Sequence, residues 1–511
     1  MPITIIISSK PNIEQAILEG LEKVHQLNSE LAKQLYHRFI HAHFDQLSET
    51  AYFVIEAPYV DKVYRDSFYS YYSSKNQYYK RDSIRVSIFS EQIFASDFRD
   101  ISKKEELQNK FMGFIVLRPT EPSLIGRSVI SPKVLKIKNF DIVTTSIRTT
   151  VNSIKLSVDG FPHSSQDGET ISCAETTIWS LMEYFSNRYS EYKSVLPSTI
   201  IETLNRVSTE RQVPSKGLNI QQISYALREF GLGTKIYSQS EFGTSFNNLL
   251  SCYIESGIPV VVAMENRHAG GNIGHALLCI GNEPPTNNQV DALVAKKFMD
   301  VSLTNKYRAK NIILHDYNDL NERYVFIDDN HPAYQPNYLN SPSANYLPNN
   351  PHWANCEITY FIVPLYTKVY LEAFEAQNFI FRFLINDPFT LHDNSEVFIK
   401  IFLTSSRSFK DWLATNGTFD EDVKTLIIET SMPKFIWVGE LSTKELIKTN
   451  HADGIIILDA TEANTMYNKP LIIAAYEGNY ITFASDSNEI KKFNLSLGNY
   501  STYHNNLKSF K

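Results

Sequence analysis

The stretch Gln166-Asp167-Gly168-Glu169-Thr170-Ile171-Ser172-Cys173-Ala174-Glu175-Thr176-Thr177-Ile178-Trp179 runs from a Gly-containing turn into the first turn of a helix. Ser172 followed by Glu175 has the capping-box pattern. Ala174, Ile178, Leu181, Met182 and Phe185 then recur at helical spacing. Cys173 therefore falls at the first helical position, where the partial positive charge of a helix N-terminus favours thiolate over thiol. The Cys173 amide is one candidate oxyanion donor, and the side-chain amide of Gln166 is a second.

A nucleophilic thiol needs a base, and the base needs a group that orients it. His275 opens the apolar run Gly274-His275-Ala276-Leu277-Leu278-Cys279-Ile280-Gly281 after a Gly-rich approach. The run Arg323-Tyr324-Val325-Phe326-Ile327-Asp328-Asp329-Asn330 ends in acids. Asp328 is the favoured orienter, with Asp329 or Asn330 reached by a slip of one or two residues. His268 is a rival base.

The remaining composition narrows the class. The chain has 511 residues, 43% hydrophobic and 21% charged, enough to bury a core and to form about three domains. Its 49 Lys+Arg against 56 Asp+Glu leave a net charge of −7, which argues against nucleic acid as the main partner. Four cysteines, with no CxxC pair, exclude a disulfide scaffold and a metal knuckle. Cys252, Cys279 and Cys356 are expected to be packing thiols. No basic start and long apolar run mark a signal peptide, and no run approaches a membrane span, so a soluble cytoplasmic protein without membrane contact is expected.

Three α+β parts are expected: 1–155, 156–365 and 366–511. In the first, helical spacing runs over 11–45, and strands are expected at 52–55, 84–89 and 111–117. In the second, helices at 173–189 and 220–230 precede strands at 258–264, 275–281, 324–328 and 358–364, the order of helices packed on an antiparallel sheet. In the third, strands at 379–384, 397–403, 435–438 and 454–458 mix with a helix at 406–415. The Asn-, Pro- and Tyr-rich loop 335–350 is long enough to be functional.

The order Gln166, Cys173, His275, Asp328 resembles the papain-like cysteine peptidases. Residues ~160–365 are most similar to the bacteriocin-processing peptidases that cut double-glycine leaders. The resemblance is carried also by the segments 217–232 and 249–260 between the Cys and the His. It implies a central papain-like domain flanked by two α+β domains. It further implies Cys173 as nucleophile, His275 as general base, Asp328 as its orienter and Gln166 as oxyanion donor. The implied activity is a thiol hydrolase, a peptidase or isopeptidase acting through a thioester on a peptide or protein substrate, with no cofactor and no metal. The gap of seven from Gln166 to Cys173 is one longer than the family's usual six. A transamidase using the same triad, and an inactive papain-like binding or regulatory protein, are the alternatives.

Two other features carry weaker expectations. His37 and His41 share a helix face, but a solvated face explains them better than a metal does. Tyr52, Tyr59, Tyr64, Tyr69, Tyr71, Tyr72, Tyr78 and Tyr79 interleave with Lys62, Arg65, Lys75, Lys80, Arg81 and Arg85. That pattern suits stacking on a single strand or gripping a peptide, and it suits a partly buried Tyr-rich surface better.

Overall fold

Runs of Val, Ile, Phe and Tyr bounded by polar turns form three large sheets with helices packed on them, so the chain is a mixed α+β fold. The structure, a computed structural model, describes residues 4–120, 123–266, 273–293, 313–320, 323–346, 353, 355–385, 396–476, 479–484, 489–495, 497–504 and 506–511. His268 and residues 347–350 of the long loop lie outside the described residues.

The N-terminal sheet has the strand order Thr4–Ser9, Tyr52–Tyr59, Ser83–Phe89, Phe111–Leu117, Ile125–Ile130, Ile154–His163, Thr145–Val151, all antiparallel. The continuous helical run expected over 11–45 is instead two segments. Gln26 takes a left-handed conformation (φ 58), and Asn28 caps the second segment by accepting from the Leu31 amide at 2.8 Å. A left-handed residue closes one helix and an Asn cap opens the next. Ile17 and Leu21 of the first segment share a core with Ala32, Leu35 and Ile40 of the second.

The central sheet has the order Gln335–Tyr338, Arg323–Ile327, Ile273–Asn282, Val260–Asn266, Glu357–Leu365, Gly233–Ser238, again antiparallel. The helix Cys173–Arg188 packs on the strand Ile273–Asn282. Its Ile178, Leu181 and Met182 share a core with Val261, Leu278 and Ile362. Thr177 Oγ1 donates to the Ala276 carbonyl at 3.1 Å and so fixes how far the helix slides along that strand.

The third sheet has the order Ile313–Asp316, Glu396–Ser405, Phe435–Ser442, Gly454–Asp459, Leu471–Tyr476, Asn479–Ala484, Glu489–Asn494. Its first pair is parallel and the others antiparallel. The strand expected at 379–384 is part of the helix Ala373–Ile385. Phe379-Ile380-Phe381 reads locally as a strand, but Ala373, Ala376, Ile380 and Leu384 make one fully buried helical face, and that longer period wins.

The three sheets are tied together. The hairpin of Thr145–Val151 and Ile154–His163 spans residue 155, and Ile313–Asp316 joins the third sheet from within 156–365. The short strand Phe140–Ile142 pairs with Gly281 and Asn282 on one side and with Lys508–Phe510 on the other. A Cβ on Gly281 would sit 2.1 Å from the Asp141 carbonyl oxygen, so this junction requires glycine.

His25 closes the first helical segment with both ring nitrogens buried and no hydrogen-bond partner among the described residues. Burial pushes its imidazole down to about 3. An unfolded histidine titrates near 6.5, so the folded state binds fewer protons below that value. The stability contribution is complete above pH 6.5 and is lost as pH falls toward 3. His25→Leu should therefore remove about 3 kcal/mol of the stability lost between pH 7.5 and pH 4.5. Denaturant unfolding at the two pH values measures this, and an unchanged pH dependence would contradict it.

Candidate functional site

One strand carries the chain into the site. Ile154–His163 leaves the N-terminal sheet, and its end is followed by Gln166 and Cys173. His163 is buried and held neutral, because burial pushes its imidazole down. Its Nε2 lies 3.1 Å from the carbonyl oxygens of both Asp328 and His331, so an Nε2–H donates to the turn that holds the acids.

The turn between Gln166 and Cys173 is built around Asp167. Its Oδ1 accepts from the amides of Glu169 (3.0 Å), Thr170 (2.7 Å) and Ile171 (3.0 Å), and its Oδ2 accepts from the Thr170 hydroxyl. Gly168 takes a φ of +73 within this turn, a conformation that favours glycine. The long Gln–Cys spacing is thus a closed, hydrogen-bonded turn. Ser172 then caps the helix: Glu175 Oε2 accepts from the Ser172 amide at 3.1 Å and from its hydroxyl. Glu175 is itself fixed by the Ser215 hydroxyl at 2.7 Å.

The structure brings Cys173, His275 and Asp328 together. Of the four cysteines, Cys173 alone is not buried. Its thiol lies near enough to the His275 ring to favour that ring's protonated form. His275 Nε2 lies 2.9 Å from Asp328 Oδ1 and 3.4 Å from Asp329 Oδ1. Burial pushes the His275 imidazole down, but the charge and hydrogen bond of Asp328 outweigh it and hold the ring well above its usual 6.5. Asp328 is pushed up by burial and pulled below the usual carboxylate range by His275. Asn330 sits beside them: its amide donates to Asp328 Oδ1 at 3.0 Å, and its side-chain Oδ1 accepts from Gln166 Nε2 at 3.0 Å.

Two aromatic residues complete the wall, and neither was singled out from sequence. Tyr346 donates its hydroxyl to Asp328 Oδ2 at 2.7 Å and lies 3.3 Å from His275 Nε2. Trp353 stacks on Tyr346 with centroids 4.3 Å apart and meets the His275 ring edge-on at 5.4 Å. Tyr346 belongs to the loop 335–350, and Trp353 lies three residues beyond it. Asp167 and His163 were also not singled out. The Asp-Gly pair was a readable turn signal for Asp167, whereas the contacts of His163 and Tyr346 arise only from long-range packing.

His275, Asp328 and Asp329 are the one set of three metal-ligating side chains close enough to hold an ion among the described residues. An ion there would take the Nε2 position that Asp328 now occupies, so metal binding and the observed His–Asp pair exclude each other. His37 is exposed and faces Glu14 at 3.4 Å. Cys252, Cys279 and Cys356 are buried, and burial pushes each thiol up.

The cations of the Tyr-rich stretch have partners within the protein. Arg85 pairs with Glu56, Arg65 and Arg81 with Asp82, Lys75 with Glu169, Lys62 with Glu183 and Lys80 with Gln26. Tyr64 and Tyr72 are buried. Tyr71 donates to Glu169 at 2.6 Å, which braces the turn before Cys173 from the N-terminal part. No helix among the described residues is long and apolar enough to cross a membrane.

No family model matches the chain, and no curated protein matches it in sequence.

Asp167→Ala strands three amides in a buried turn. It should cost about 2–4 kcal/mol of unfolding free energy and slow alkylation of Cys173, whereas Asp167→Asn keeps the Oδ1 acceptor and should cost less than half as much. Denaturant unfolding and the rate of thiol alkylation measure both effects. Equal stability of the Ala variant and wild type would contradict this account of the turn.

Proposed function

We propose that the protein is a cysteine hydrolase of the papain-like type, a peptidase or isopeptidase that works through a thioester on Cys173. The observation that carries this reading is His275 held between the Cys173 thiol and the Asp328 carboxylate, at the start of a helix packed on the strand that bears the histidine. A thiol at a helix start packed against the antiparallel strand that carries the base, with the orienter just past the end of the neighbouring strand, supports a central papain-like domain with α+β parts on either side.

The residues divide the work as follows. Asp328 engages Nε2 and leaves Nδ1 for the thiol. An imidazole raised this far takes the thiol proton, and Cys173 attacks a substrate carbonyl as thiolate. A C–S bond forms, and the carbonyl electron pair moves onto oxygen. The Cys173 amide stands at the first helical position and has no intrahelical partner, so it is available to that oxyanion. Gln166 Nε2 carries two hydrogens; one is taken by Asn330, and the second serves the oxyanion. His275 gives its proton to the leaving amine, the C–N bond breaks, and a thioester remains. Water, deprotonated by His275, releases the acid and restores the thiol. Tyr346 and Trp353 close the far side of the His–Asp pair from water, which strengthens it.

Labelling with a peptidyl chloromethyl ketone at neutral pH tests the reading. One equivalent should add to Cys173 in wild type and none to Cys173→Ala, with His275→Ala slowed at least about a hundredfold, the low end of a general base's contribution. Labelling unaffected by either substitution would overturn the dyad and favour a binding role for the fold. Products formed with an added amine, in place of the free acid, would mark the transamidase variant.

A further inference from the structure

Asp329 is a buried carboxyl whose oxygens meet no hydrogen-bond partner beyond the residue's own amide among the described residues. A buried polar group normally has partners, so one without them calls for an explanation. Its neighbour Asp328 is saturated: Oδ1 takes His275 Nε2 and the Asn330 amide, and Oδ2 takes the Tyr346 hydroxyl. Asp329 has one close polar contact in the site, His275 Nε2 at 3.4 Å.

Two consecutive residues of a strand point to opposite faces. Here the strand Arg323–Ile327 ends immediately before the pair, and a turn follows in which the His331 amide donates to the Asp328 carbonyl at 3.3 Å. Leaving the strand at that residue lets both carboxyls flank one ring nitrogen. None of the hydrogen bonds that hold the turn uses the Asp329 side chain, so the turn itself does not require a carboxyl there.

We propose that Asp329 is a second positioning carboxyl for His275: protonated, it leaves the ring to Asp328 alone; ionised, it joins Asp328 around the imidazolium and increases the share of Cys173 present as thiolate. This rests on the Cys173–His275 pair proposed above. The proton balance is simple. Asp329 releases one proton to solvent as pH rises, and the added negative charge favours transfer of the thiol proton to His275.

The groups that face Asp329 are His275 on the central strand, Asp328 beside it, the Tyr346 hydroxyl from the long loop and Arg118 from the end of the N-terminal sheet; His331 acts on Asp328 from the turn. Burial, opposed by His275 and assisted by Asp328, pushes Asp329 up to about 7. The step therefore falls at neutral pH, with ionisation, and its benefit to the thiolate, above it.

The rate of Cys173 alkylation by iodoacetamide, followed from pH 5.5 to 8.5 in wild type, Asp329→Asn and His275→Ala, tests the proposal. A neutral Asn matches protonated Asp. Wild type and Asp329→Asn should thus react equally at pH 5.5. They should diverge through pH 7 until the variant is about tenfold slower at pH 8.5, the effect of one unit in the imidazole's proton affinity. Superimposed profiles of wild type and Asp329→Asn, with His275→Ala slow, would overturn the role of Asp329 alone. Equal rates in wild type and His275→Ala would overturn the underlying dyad instead. Should Asp329→Asn fail to fold, the His275 Nε2 chemical shift of ¹⁵N-histidine-labelled wild type decides: an inflection near pH 7 supports the proposal, and a flat response across pH 6–8 overturns it.

Discussion

A buried imidazolium beside a buried carboxylate is stable only when the remaining hydrogen-bonding positions of both are filled, because removing two charges from water costs several kcal/mol per ion. The site around His275 and Asp328 is arranged to meet that condition. Asn330 and Tyr346 supply donors to the carboxylate, and the Cys173 thiol lies beside the ring. His163 holds the backbone of the acidic turn from the N-terminal sheet, and Trp353 meets the ring edge-on. The contacts come from several segments, so the pair draws on the central sheet, the end of the N-terminal sheet and the residues around Tyr346 together.

That dependence gives the N-terminal part a physical role near the site. Its last strand leads directly into the Asp167 turn, and Tyr71 braces the same turn through Glu169. Asp66 accepts from the Ser198 amide and hydroxyl, both at 2.8 Å, and so fixes the helix Pro197–Asn205 next to the cysteine helix. The cations Arg65, Lys75 and Arg85 of residues 52–85 are paired within the protein, while Tyr69 and Tyr78 stay exposed.

Much of the site was legible because its signals are local. A Ser-x-x-Glu cap places a helix start within one residue, and a strand running into two acids places an orienter within two. What separates Asp328 from Asp329 is the residue at which the strand ends, and no local pattern sets that. Tyr346 and Trp353 lie 71 and 78 residues beyond His275 in sequence, and only long-range packing brings them to the ring. The helix Ala373–Ile385 was misread for the opposite reason: a short β-like run hid a longer helical period whose buried face becomes evident only over thirteen residues.

The central claim is that Cys173 and His275 act as one nucleophilic unit. Mixing the protein with p-nitrophenyl acetate and following nitrophenolate release together with intact mass tests it without knowledge of the natural substrate. The account predicts a rapid stoichiometric burst, a single acetyl group on Cys173 that hydroxylamine removes, slow turnover afterwards, and loss of the burst in both Cys173→Ala and His275→Ala. A burst that survives either substitution, or acetylation spread over other residues with none on Cys173, would contradict it.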